Sequence, residues 1–184
     1  NENIGCFSIV SIIAFSCSTG RQDWANTIAG EIKRLHNVLS IMGGPHPTIY
    51  QEEAIMKNNI DVICIGEGEY PLLELADRLE KRQKITNIEN LWIKVGKEIF
   101  KNELRNLNNI NSLPYPDRTL YYKYYYNREL PAKRFVSSLG CPFLCSFCHN
   151  PLIRRMYENK GVFIRRKDVE RIISEIIYIK ESYP

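Results

Sequence analysis

Apolar residues along the first hundred positions follow two different periods. Ile9 to Phe15, Val38 to Met42 and Val62 to Ile65 are short continuous apolar runs, the pattern of strands covered on both faces. Between them apolar side chains recur at helical spacing. Trp24, Ile28, Ile32 and Leu35 do so within Gln22 to Leu35, and Leu72, Leu73, Ala76 and Leu79 within Tyr70 to Arg82. Each set predicts one inward-facing stripe. Thr48 with Gln51 predicts a capping box for a short helix through Lys57. Leu91 to Val95, the pair Gly96-Lys97, and Glu98 to Lys101 read as a hairpin at a sheet edge.

This alternation predicts an α/β fold with an open parallel sheet and helices on both faces. Such sheets bind ligands at the loops leaving the carboxyl ends of their strands. Three loops qualify: Ser16 to Gly20, Gly43 to Thr48, and Gly66 to Glu69. Their glycines allow close backbone approach or a positive φ, and hydroxyls such as Ser16 and Thr19 offer polar contacts. Ordinary strand-end turns carry the same residue types, so spacing alone leaves both readings open.

The second half is organised differently. Asn106 to Asp117 is rich in Asn and ends in Leu113-Pro114-Tyr115-Pro116-Asp117, which predicts a linker. Tyr121, Tyr122, Tyr124, Tyr125 and Tyr126 follow, suited to packing between domains or to lining a ligand. Lys133 to Ser138 reads as a strand. Val169 to Lys180 reads as a helix with Val169, Ile172, Ile173, Ile176 and Ile179 inward and Glu170 and Glu175 outside the stripe.

Between that strand and helix lies the most specific chemical signal, Gly140-Cys141-Pro142-Phe143-Leu144-Cys145-Ser146-Phe147-Cys148-His149. A four-iron cluster takes four cysteines, so a loop supplying three leaves one iron open. An open metal position marks a catalytic rather than a structural site. Two other readings stand beside it: a Cys₃His zinc site using His149, or inert buried thiols. Cys6, Cys17 and Cys64 lie singly in apolar runs. This usage argues against a disulfide framework and for a reducing compartment.

Composition narrows the class. A chain of 184 residues that is 44% hydrophobic has material for one domain and part of another. A net charge of +4, with only Arg154-Arg155 and Arg165-Arg166-Lys167 clustered, gives no footprint for nucleic acid. Ile4 to Phe15 lacks the basic start and cleavage site of a signal peptide and is too short to span a bilayer. A cytoplasmic location is expected.

The cysteine spacing, the Gly140-Cys141-Pro142 lead-in and Phe147 before the third cysteine resemble the radical S-adenosylmethionine (radical SAM) family. That resemblance implies that Cys141, Cys145 and Cys148 ligate a [4Fe-4S] cluster. The open iron would hold S-adenosylmethionine, with Phe147 near its adenine. Reductive cleavage then yields methionine and a 5′-deoxyadenosyl radical, the electron coming from a donor such as flavodoxin or ferredoxin.

The order Ser-x-x-Thr, Gly-Gly-Pro-His-Pro-Thr, Ile-Gly-Glu-Gly-Glu and then the cysteine triad is similar to the cobalamin-binding subfamily. It implies a flavodoxin/Rossmann-like cobalamin-binding domain over residues 1–105, a linker over 106–131, and the first βα unit of a radical SAM barrel over 132–184. Ser16, Thr19, Gly43, Gly44, His46, Gly66 and Glu67 would contact cobalamin, with His46 read as a turn residue rather than a cobalt ligand. The subfamily's first strand and helix and the later barrel strands are missing from this sequence, so a fragment is expected. The Asp-x-His-x-x-Gly signature of a cobalt-ligating histidine is also missing, as in many members of the family. The implied reaction is methylation of an unactivated carbon of a small molecule. Cyclisation or rearrangement with a vestigial cobalamin domain is the alternative within the family, and a non-catalytic zinc- or cofactor-binding module the alternative outside it.

Overall fold

The computed structural model describes residues 11–130 and 132–183, with the backbone alone described at Ser11 and Tyr126. Cys6 and the first two residues of the predicted opening strand, Ile9 and Val10, lie outside that range. The chain forms two compact units. The first runs to Asn106 and includes Arg155–Tyr157; the second comprises Leu107–Arg154 and Glu158–Pro184.

In the first unit β1 (Ser11–Ser16) leads into α1 (Gln22–Leu35) and β2 (Val38–Gly43). Two short helices follow, α2 (Pro45–Ile49) and α3 (Gln51–Ile55), then β3 (Val62–Cys64), α4 (Glu69–Glu80), and a hairpin of β4 (Leu91–Val95) and β5 (Glu98–Lys101). The sheet order is β1-β2-β3-β4-β5, parallel from β1 to β3 and antiparallel from β3 onward. Alternation along the strands divides the core. Met42 and Ile63 face α1 and α3 through Ala25, Ala29, Ala54 and Ile55, while Leu39, Ile41, Val62 and Cys64 face Leu75 of α4. An α/β sheet covered on both faces is therefore observed, with the hairpin extending it.

The helix faces differ from expectation. On α1 the inward residues are Ala25 and Ala29, whereas Trp24 is 62% exposed and Leu35 is exposed as well. Trp24 lies edge-on to Phe15 instead, ring centroids 6.4 Å apart. Small residues let the helix lie close to the sheet, leaving Ile28 and Ile32 half-buried and Trp24 and Leu35 at the exposed ends of the stripe. On α4 the buried residues are Pro71 and Leu75, with Leu79 packed partly against the core; Leu72, Leu73 and Ala76 face out. The predicted capping box is absent. Gly44 at φ +94° and Pro45 in the first turn start a helix earlier, so Thr48 falls inside it.

The second unit holds α5 (Thr119–Tyr122), α6 (Tyr125–Arg128), β6 (Ser138–Leu139), α7 (Asn150–Met156), β7 (Arg165–Arg166) and α8 (Val169–Ser182). The strand expected over Lys133 to Ser138 is reduced to β6, whose partner is the antiparallel β7. Residues 107–113 are tied to the rest of the unit: Leu107 N–H donates to the Lys160 carbonyl at 2.8 Å, and Asp168 N–H to Asn111 Oδ1 at 2.9 Å. On α8, Ile179 is buried as predicted, but Val169, Ile173 and Ile176 are exposed. Glu175, expected outside the stripe, is 1% exposed because Lys167 supplies the ion pair that a buried carboxylate requires. Among the described residues no helix is long and apolar enough to cross a membrane.

Candidate functional site

The parallel strands β1, β2 and β3 deliver three loops to one edge of the first unit. They meet through specific bonds. Cys17 N–H donates to the Gly43 carbonyl at 2.8 Å, and His46 N–H donates to the Cys17 carbonyl at 2.9 Å, joining the first loop to the second. A side chain at Gly44 would put its Cβ 2.9 Å from Cys17 N and 3.1 Å from Ser16 Oγ, so only glycine lets these loops touch. Thr48 joins the second loop to the third: its Oγ1 donates to the Gly44 carbonyl at 2.8 Å and accepts the Gly66 N–H at 2.9 Å.

The third loop is held from below. Asn90 is fully buried, and its Nδ2 donates to the Glu67 carbonyl at 2.9 Å while its Oδ1 accepts the Arg105 N–H at 2.7 Å. Tyr157 is 3% exposed, and its hydroxyl accepts the Glu67 N–H at 3.1 Å. Burial pushes the Tyr157 phenol above its ordinary value. It pushes the Cys64 thiol up to about 12.

Of the residues predicted at this edge, Ser16 and Thr19 are exposed, and Gly43, Gly44, Gly66 and Glu67 are half-buried. Gly43 would bear a Cβ with only ordinary contacts, the nearest at 3.7 Å from Cys64 Cβ. Packing within the protein therefore does not explain its missing side chain. His46 is 1% exposed, and neither ring nitrogen has a hydrogen-bond partner among the described residues. Its ring lies 5.5 Å from that of Tyr50, with Nε2 3.9 Å from a Glu53 carboxylate oxygen. Open hydroxyls on the first loop, an unneeded side-chain space at Gly43 and a fixed backbone at Gly66-Glu67 fit the polar tail of a cofactor.

Sequence reading named neither Thr48, Asn90 nor Tyr157 as a site residue. Thr48 closes the quoted Gly-Gly-Pro-His-Pro-Thr run, so a signal was present. Tyr157 is distant in sequence from the loop it holds and gave none.

The cysteines lie in the second unit between β6 and α7. Gly140 takes φ +90°, and a Cβ there would fall 2.2 Å from the Phe163 carbonyl oxygen. All three thiols are free, Cys145 exposed and Cys141 and Cys148 half-buried. Cys148 N–H donates to the Cys145 carbonyl at 3.1 Å, and Asn150 N–H points at Cys148 Sγ at 3.5 Å. Among the described residues no three His, Cys, Asp or Glu side chains are gathered around one point closely enough to hold a metal. The donor set itself, three unpaired thiols in one short loop with a backbone N–H directed at sulfur, suits an iron–sulfur cluster. Phe147 is 92% exposed. Arg154 and Arg155 are exposed on α7.

Residues 9–76 match the family model of the B12 binding domain. An uncharacterized methyltransferase of Pyrococcus horikoshii is 31% identical over 176 residues, covering 94% of this chain and 37% of the relative. An anaerobic magnesium-protoporphyrin IX monomethyl ester cyclase of Synechocystis is 24% identical over 168 residues, 82% of this chain and 30% of the relative. Among solved structures, the radical S-adenosylmethionine methyltransferase TsrM of Kitasatospora setae, with cobalamin and a [4Fe-4S] cluster bound, aligns with a TM-score of 0.65 at 14% identity, over 94% of this chain and 35% of that one. The cobalamin-dependent radical enzyme OxsB, with aqua-cobalamin and S-adenosylmethionine bound, gives 0.68 at 21% identity, over 94% and 24%. This chain thus spans 24–37% of the length of these proteins. Residues 9–76 are similar to a B12 binding domain, and the chain shares its fold with the matching parts of TsrM and OxsB.

Proposed function

We propose that this chain belongs to a cobalamin-dependent radical SAM enzyme that methylates an unactivated carbon of a small molecule. The observation that carries the reading is the pairing of a B12 binding domain match with a three-cysteine loop in one chain. Cys141, Cys145 and Cys148 would hold three irons of a [4Fe-4S] cluster and leave the fourth to S-adenosylmethionine, beside Phe147. Ser16, Thr19, Gly43 and Gly44 would line the nucleotide tail of cobalamin. When bound, the cluster supplies the electron for reductive cleavage of S-adenosylmethionine and cobalamin the methyl carrier.

The chain's own residues bind and orient. Gly44 and Thr48 fix the spacing of the loops. Exposed hydroxyls at Ser16 and Thr19 replace water around a polar tail. His46 is buried within the second loop, where its N–H ties that loop to the Cys17 carbonyl. The electron would come from a flavodoxin- or ferredoxin-like donor. Cyclisation is the second reading, supported by the cyclase among the relatives.

Cys145→Ala in the complete protein tests the ligand assignment. It is expected to abolish iron and sulfide uptake while corrin absorbance is retained. A variant keeping a full complement of iron and sulfide overturns the assignment.

A further inference from the structure

Three polar groups of the Gly66-Glu67 backbone are bonded by side chains. Gly66 N–H goes to Thr48, Glu67 N–H to the Tyr157 hydroxyl, and the Glu67 carbonyl receives Asn90 Nδ2. Tyr157 does this from a buried position, and Met156 beside it packs against the core cluster around Met42 and Ile63. Gly66 at φ +75° is shaped around the phenol, since a Cβ there would fall 1.8 Å from the hydroxyl oxygen. Two buried side chains thus hold the half-buried Glu67 from both sides, one at its N–H and one at its carbonyl. Loops are ordinarily left to water, and each buried polar partner carries a desolvation cost.

We propose that Tyr157 is a positioning residue for the cofactor edge: with Asn90 it clasps the two peptides flanking Glu67 and presets the Gly66–Gly68 turn for cobalamin. The inference rests on the reading that this edge binds cobalamin. Without the hydroxyl the turn has a choice of conformations, and ligand binding must order it again. Burial of the phenol suits it to this task. It stays neutral at physiological pH, and its ring fills the space that glycine leaves at position 66.

The test is an absorbance titration of the full chain with hydroxocobalamin, comparing the native protein with Tyr157→Phe at a temperature where circular dichroism shows both folded. The variant keeps the ring and loses the hydroxyl. It is expected to bind about tenfold more weakly, as loss of one buried hydrogen bond implies. A purely structural role would lower the melting temperature and leave the affinity of the folded protein unchanged. Binding by native protein with equal binding by Tyr157→Phe overturns the inference alone. Failure of the native protein to bind cobalamin overturns the inference and the cobalamin reading together. Amide exchange of the native protein gives a second arm independent of any variant. The Glu67 amide is expected to be protected, and exchange there at the rate of an open loop overturns the clasp.

Discussion

A Cβ placed on Gly66 would lie 1.8 Å from the Tyr157 hydroxyl, so the two positions are matched to each other across half the length of the chain. Gly66→Ala combines that overlap with a φ of +75° that L side chains rarely adopt. It is expected to cost roughly 2–4 kcal/mol in urea unfolding. Gly96→Ala is the control, because its φ is +61° but nothing lies within 4 Å of the added Cβ. A cost of about 1 kcal/mol is expected there. Equal costs at the two positions would show that the phenol yields freely.

Thr48 joins two loops through one hydroxyl. Thr48→Val keeps the shape and leaves the Gly66 N–H without its acceptor, at an expected cost of about 1–3 kcal/mol. Thr48→Ser retains the oxygen and is expected to retain most of the stability. Chemical denaturation of both variants measures the difference, and equal values would remove the hydroxyl from the account.

Stability toward alkali follows from Cys64. Burial favours its neutral thiol, raising the folded value to about 12 from an unperturbed 9.0, with Glu69 adding to the effect. The stabilisation is complete below pH 9 and is lost as pH climbs toward 12, on the order of 4 kcal/mol in all. Tyr157, also raised by burial, adds in the same direction from its own ordinary value upward. Urea midpoints at pH 8 and pH 11 should differ more in native protein than in Cys64→Ala. A parallel decline would contradict this assignment.

Order along the chain was legible because period tells strand from helix. α1 spans Gln22–Leu35 as its spacing predicts, and the β4–β5 hairpin turns at Gly96-Lys97. Facing was less legible. A hydrophobic stripe marks where apolar side chains lie, not how near a helix can approach, and on α1 the alanines win the closer contact. Leu35→Ala is therefore expected to change stability by no more than about 0.5 kcal/mol. Ala29→Leu, which overfills the helix–sheet contact, should cost about 1–3 kcal/mol. The reverse order would restore the stripe as the buried face. Glu175 shows the same limit, since its burial depends on Lys167, which lies outside its helix. Tyr157 was illegible because nothing local distinguishes a tyrosine that ends up beneath a distant loop.

Removing one member of the Lys167–Glu175 pair strands the other. Glu175→Ala should destabilise the chain by about 3 kcal/mol, as expected for breaking a buried ion pair. Glu175→Gln, which can still accept a hydrogen bond, should cost less. Thermal melting of the two variants checks the order, and an unaffected Glu175→Ala would mean the pair is solvated.

The proposed function requires that a protein containing this chain bind both cobalamin and a [4Fe-4S] cluster. Anaerobic reconstitution of the complete protein with iron, sulfide and hydroxocobalamin, followed by desalting, metal analysis and a visible spectrum, tests it most directly. The account predicts about four irons per chain with corrin absorbance retained. Zinc in place of iron would contradict it.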